Sequence, residues 1–145
     1  MELIWEKKKF KCQGLYADCF AVAVINACIF KEMPSLSRSE LKAIGKGFPI
    51  IFREKCLQES NIDYKSIVIE REKDLMEVSR SCGIITIMHP IFNLHSVFVF
   101  RKRIDDVIVY LVNSLLGPNV LAVSIKSLFG LLPEYKHSRK AFVIA

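Results

Sequence analysis

Hydrophobic positions change their period once along the chain, dividing it into a helical first half and a strand-rich second half. Residues 1–12 form a lead-in with strand character near Phe10. Over residues 18–31 the segment Cys19-Phe20-Ala21-Val22-Ala23-Val24-Ile25 is apolar nearly all round, which predicts a central, buried helix. Met33-Pro34-Ser35 stops it. Ser37-Arg38-Ser39-Glu40 reads as a capping box, with the first serine accepting an orphan amide and the glutamate reaching back. It opens a short helix closed by Gly45 and Gly47. Residues 49–59 support another helix, with Ile50, Ile51, Cys56 and Leu57 as its apolar positions. The pattern then shortens to alternation. Residues 64–69 read as a strand, 72–81 as a helix with Leu75, Met76 and Val78 inward, and 83–88 as a strand stopped by Pro90. Strands over 95–102 and 107–113 flank a turn at 104–106. A loop over 114–119, a helix from Ser124 to about residue 131 and a last strand over 141–144 complete the chain. This order predicts an α+β fold: a helical N-terminal half, with the Cys19 helix at its centre, packed on an antiparallel sheet from the C-terminal half.

Composition narrows the class. At 145 residues and 52% hydrophobic content, the chain fits a single domain, residues 1–145, with a sizeable core. No apolar run is long enough to cross a bilayer. Trp5-Glu6-Lys7-Lys8-Lys9 puts charge where a signal peptide needs an apolar region. The expectation is a soluble, cytoplasmic protein. Its 5 cysteines are odd in number and scattered, which fits a reducing compartment better than a disulfide framework. There is no C-x-x-C pair and no H-E-x-x-H, so neither a metal nor a cofactor is expected. The net charge of +6 comes largely from Lys7-Lys8-Lys9, Lys11, Arg101-Lys102-Arg103 and residues 136–140, read as solvated surface. No basic stretch is interleaved with aromatics as a nucleic-acid-binding surface would be.

Candidate chemistry gathers at four residues. Cys19 sits at a helix start, where the dipole and an imidazole would favour the thiolate that nucleophilic attack requires. His95 leads a strand and would exchange the proton. Asn113 ends the next strand and offers a side-chain oxygen to fix the histidine tautomer. In a hairpin turning near Asp105 the two come to corresponding ends of paired strands. Gln13, just upstream, would join the Cys19 N–H in holding an oxyanion. Singly, each has a plainer reading: a small core residue, a core histidine, a strand terminator, a polar loop residue. Jointly they form a Cys–His–Asn site. Cys12 reads as structural, and His89 is a rival base. Asn26, on the apolar helix, needs a hydrogen-bond partner and reads as core architecture. Trp5 and Phe10 line a groove or pack the lead-in.

The stretch Gln13-Gly14-Leu15-Tyr16-Ala17-Asp18-Cys19-Phe20-Ala21-Val22-Ala23 resembles the active-site helix of papain-like cysteine peptidases, most closely the bacteriocin-processing peptidases that remove double-glycine leaders. His95-Ser96-Val97-Phe98-Val99 and Tyr110-Leu111-Val112-Asn113-Ser114-Leu115-Leu116-Gly117 resemble that family's histidine strand and the strand ending in aspartate. Ser124-Ile125-Lys126-Ser127-Leu128-Phe129 resembles the helix that follows. Phe20 stands where the family usually has glycine, which would narrow the cleft. Asn113 replaces the usual aspartate, as in papain. The resemblance implies a papain-like fold and a peptidase acting on peptide or protein substrates through an acyl-thioenzyme. The alternatives are an acyltransferase using the same site, or an inactive papain-like binding module.

Overall fold

The computed structural model describes residues 10–11, 19–44, 50–91 and 93–145. The expectations placed on Trp5, Cys12, Gln13, Gly45 and Gly47 lie outside these. The elements are α1 (Cys19–Phe30), α2 (Arg38–Ile44), α3 (Ile50–Glu59), β1 (Tyr64–Val68), α4 (Glu72–Val78), β2 (Cys82–His89), β3 (Asn93–Phe100), β4 (Ile108–Val112), β5 (Val120–Ser124), α5 (Ile125–Gly130), a 3-10 turn (Lys136–Arg139) and β6 (Lys140–Ile144). The strands form one 6-stranded sheet in the order β1-β6-β2-β3-β4-β5. Every neighbouring pair is antiparallel. Helices and one antiparallel sheet make the α+β architecture that the pattern predicted.

Alternation along the strands builds two cores. Cys82 and Ile84 of β2, Phe98 and Phe100 of β3, and Phe142 and Ile144 of β6 face α1, Leu41 of α2, and Cys56 and Leu57 of α3. The intervening residues, Ile85, Ile87, Val97 and Val99, face Leu75 and Val78 of α4 and Leu128 of α5. Helices therefore cover both sheet faces, where the sequence pattern predicted only an N-terminal helical half stacked on the sheet. Burial on both faces is why β2 and β3 read as continuous apolar runs. Residues Phe20 to Cys28 of α1 are all buried, because the sheet lies on one side of it and α2 and α3 on others.

Local signals explain the helix starts. Glu40 N–H donates to Ser37 Oγ and Ser37 N–H to Glu40 Oε1, both at 3.1 Å, so the capping box closes as read. Ser124 Oγ accepts from Ser127 N–H and caps α5. Two readings change. The pattern predicts no strand between the loop over 114–119 and the helix from Ser124, yet residues 120–124 form β5 and pair along the whole of β4. As an edge strand, only partly buried, β5 carries a weak pattern. Met76, expected inward, is exposed, because the α4 face that meets the sheet is set by Leu75 and Val78.

Asn26 finds the partner its burial demands. Its side chain pairs with the main chain of Lys11, accepting from the N–H at 2.7 Å and donating to the carbonyl at 3.1 Å. Phe10 packs on Phe98 and Phe100, and Asn119 Nδ2 donates to its carbonyl at 3.3 Å. Residues 10–11 are thus tied both to α1 and to the segment before β5.

Candidate active site

Cys19 is the first residue of α1, and that helix has no acidic residue in its first turn. The helix dipole therefore acts on the thiol without a competing local carboxylate from that turn. His95 lies on β3, buried, and hydrogen-bonds the thiol. The next main-chain amide, Ser96 N–H, donates to Cys19 Sγ at 3.4 Å. Burial by itself raises the thiol pKa. The His95 hydrogen bond, the Ser96 amide and the imidazolium charge outweigh it, and the thiol ends below its ordinary value. On the histidine the balance is the mirror image. Burial lowers the pKa, but Cys19 and the Asn113 carbonyl raise it to a net value above the usual one. The two groups titrate as a pair biased toward thiolate and imidazolium. Ser96 Oγ is buried beside the sulfur and favours the thiolate electrostatically, yet it makes no contact of hydrogen-bond geometry, so the main-chain N–H is the defined donor.

The sequence assigned the orienting contact to the Asn113 side chain. The main-chain carbonyl of Asn113 makes it, 2.6 Å from His95 Nε2. Two features account for this. Strands β3 and β4 pair Phe98 with Val112, and continuing that register puts Asn113 across from Val97 rather than His95. Asn113 also adopts φ 60°, a left-handed conformation that asparagine tolerates and that turns its carbonyl. Its N–H donates to Asn119 O at 2.8 Å, which fixes the peptide on the other side. A carbonyl only accepts, so Nε2 carries a proton in both charge states and Nδ1 is left for the thiol.

His89, the rival base, is engaged elsewhere. Its Nδ1 accepts from Ile91 N–H at 3.1 Å and its Nε2 donates to Leu115 O at 2.9 Å. Its ring meets that of His95 edge-on, centroids 5.9 Å apart. Leu115, like Asn113, has a positive φ, 61°. Each left-handed residue presents a carbonyl to one histidine, which is physical content behind an otherwise ordinary loop.

Phe20 was expected to narrow the cleft. It does not line it: at 1% exposure the ring turns into the core, edge-on to Phe142 at 5.9 Å. The Arg53 guanidinium lies over it, 5.4 Å from the ring centroid. No sequence signal pointed to Arg53, because an arginine in the middle of a short helix reads as solvated face. Gln13 lies outside the described residues. Cys28, Cys56 and Cys82 are fully buried. Burial raises the pKa of all three, that of Cys82 to about 11. Among the described residues no group of 3 or more His, Cys, Asp or Glu side chains is placed to hold a metal ion. No helix among them is long and apolar enough to cross a membrane.

A similar arrangement of helices and sheet occurs in solved peptidase structures. A double-glycine-motif protease from an AMS/PCAT transporter, solved in complex with a leader peptide, superposes with a TM-score of 0.64 at 14% identity, over 95% of this chain and 91% of that one. The peptidase domain of Streptococcus ComA, a bifunctional ABC transporter of a quorum-sensing pathway, superposes with a TM-score of 0.68 at 11% identity, over 94% and 98%. The fold is that of a papain-like peptidase domain. At such identities the likeness establishes the papain-like fold, and it agrees with the sequence resemblance to double-glycine peptidases. No family model and no curated protein matches the sequence.

Proposed function

We propose that this papain-like domain is a cysteine peptidase. Cys19 Sγ attacks the scissile carbonyl carbon, and His95 Nδ1 holds the thiol proton and passes it to the departing amine as the C–N bond breaks. Water then hydrolyses the thioester, releasing the acid and restoring the thiol. The Asn113 carbonyl orients the imidazole, and Gln13 with the Cys19 N–H takes the oxyanion role. The observation that carries this reading is the Cys19 thiol at a helix start, meeting His95 and the Ser96 amide together. A peptide substrate accords with the leader peptide bound to the transporter protease.

The test is the pH profile of iodoacetamide alkylation, located by mass spectrometry, beside cleavage of a peptide panel that includes leader peptides. Alkylation is expected first at Cys19, at a pH below the ordinary thiol range, with Cys28, Cys56 and Cys82 unmodified. The profile is expected to shift upward in His95→Ala. Cys19→Ala is expected to keep the fold and lose all turnover. Cleavage retained in that variant, or an ordinary thiol profile in the wild type, would overturn the assignment.

A further inference from the structure

Arg53 is a cation with no carboxylate partner among the described residues. Its side chain comes from α3 toward the sheet, where Nη1 donates to Thr86 Oγ1 at 3.3 Å and the guanidinium covers the Phe20 ring. Its Nε is buried with no hydrogen-bond partner. No carboxylate among the described residues pairs with it. The neighbouring Glu54 is committed to Lys140 at 2.8 Å and to Tyr64 Oη at 3.0 Å. The side chain is half-buried; a guanidinium partly withdrawn from water is stabilised by an anion nearby, and arginine does not shed its proton to escape the cost.

Both anchors of Arg53 lead to the same sulfur. Phe20 directly follows Cys19 in the first turn of α1. Thr86 lies directly across from Ser96 in the β2–β3 ladder, and Ser96 N–H is bonded to Cys19 Sγ. We propose that the Cys19 thiolate is the counter-ion of Arg53, and that Arg53 is a positioning residue that keeps the nucleophile ionised independently of His95. Among the described residues, the titratable and charged groups about the thiol are His95 from β3, Arg53 from α3, and His89 from β2, edge-on to the His95 ring. Burial pulls the Arg53 pKa down and attraction to Cys19 opposes it. On the thiol itself His95 and Ser96 are the groups that lower the pKa, so the effect of Arg53 is to be read with His95 removed.

This inference rests on Cys19 being the nucleophile, and the experiment separates the two. Cys19 alkylation by iodoacetamide is followed against pH in the wild type, Arg53→Met, Arg53→Lys, His95→Ala and the His95→Ala/Arg53→Met double variant. Each variant is checked for folding by its thermal melt. Removing a cation raises the thiol pKa. Arg53→Met is therefore expected to alkylate about ten-fold more slowly on the acid side, the equivalent of about one pKa unit, and to match the wild type at high pH. Arg53→Lys is expected to follow the wild type. In His95→Ala the thiol is expected to stay below the free-thiol value, and in the double variant to reach it. If Arg53→Met does not fold, Arg53→Gln takes its place with the same expectation. Superimposable profiles for wild type and the uncharged variant would overturn the Arg53 role while leaving the Cys19–His95 pair intact. An ordinary thiol profile already in the wild type would instead overturn the peptidase reading beneath it.

Discussion

At the scale of single residues, the site is set by main-chain groups as much as by side chains. His95 is held by a peptide carbonyl, and Cys19 by a peptide amide as well as the imidazole. The carbonyl is aimed by the left-handed φ of Asn113. Glycine adopts that conformation freely and brings the same carbonyl. Asn113→Gly is therefore expected to retain peptide cleavage within about ten-fold of wild type, whereas His95→Ala loses the base itself, an effect of about 10²–10⁴-fold. Steady-state kcat/KM on one peptide reads both. A loss in Asn113→Gly as deep as that of His95→Ala would return the orienting role to the side chain. That Asn113 comes close to His95 was legible, because it ends the strand that follows the His95 strand. Which of its atoms does the work was not legible, since that depends on φ and on register.

At the scale of elements, the patterns that were read correctly are local. The Ser37–Glu40 box and the Ser124 cap need only neighbours in sequence, and both close in the structure. The apolar runs of β2 and β3 are likewise legible because each strand is long and buried on both faces. What escaped depends on distant partners. Strand β5 owes its existence to pairing with β4, and Arg53 owes its half-buried setting to β2 and α1. Gly83 shows the same dependence. A Cβ there would lie 2.5 Å from Val78 Cγ1, 2.6 Å from Val78 O and 2.7 Å from Phe142 O, so β2 can have no side chain where α4 ends and β6 passes. Two of those neighbours are rigid main-chain oxygens. Gly83→Ala is expected to destabilise by about 1–3 kcal/mol, as overpacking typically does, in urea unfolding. An unchanged midpoint would mean that α4 can withdraw.

At the scale of the whole molecule, part of the positive charge is structural. Arg101, first read with Lys102 and Arg103 as surface, is buried. It donates to the carbonyls of Met76 at 2.8 Å, Ser79 at 3.1 Å and Asp106 at 3.0 Å, and to that of Ile104, joining the end of α4 to the β3–β4 turn. Lys140 pairs with Glu54 across β6 and α3. Lys102 covers Tyr110 and Arg139 covers Phe129. Arg101→Met strips several carbonyls of a donor at once. It is expected to destabilise by about 1–3 kcal/mol for each carbonyl that stays buried, with Cys19 alkylation unchanged at temperatures where the variant is folded. Urea unfolding and alkylation together check this, and a stability equal to wild type would show that water replaces the guanidinium.

The position of β6 also bears on how the chain is made. The strand formed by residues 140–144 lies between β1 and β2, and β1 has no other neighbour in the sheet. The thiol likewise meets its amide donor only when β3 arrives, 77 residues later in sequence. During synthesis, which runs from the N-terminus, Cys19 emerges early as an ordinary thiol among unfolded neighbours. The thiol therefore meets the groups that hold its pKa below the ordinary value only after β3 has been made and has folded against the start of α1.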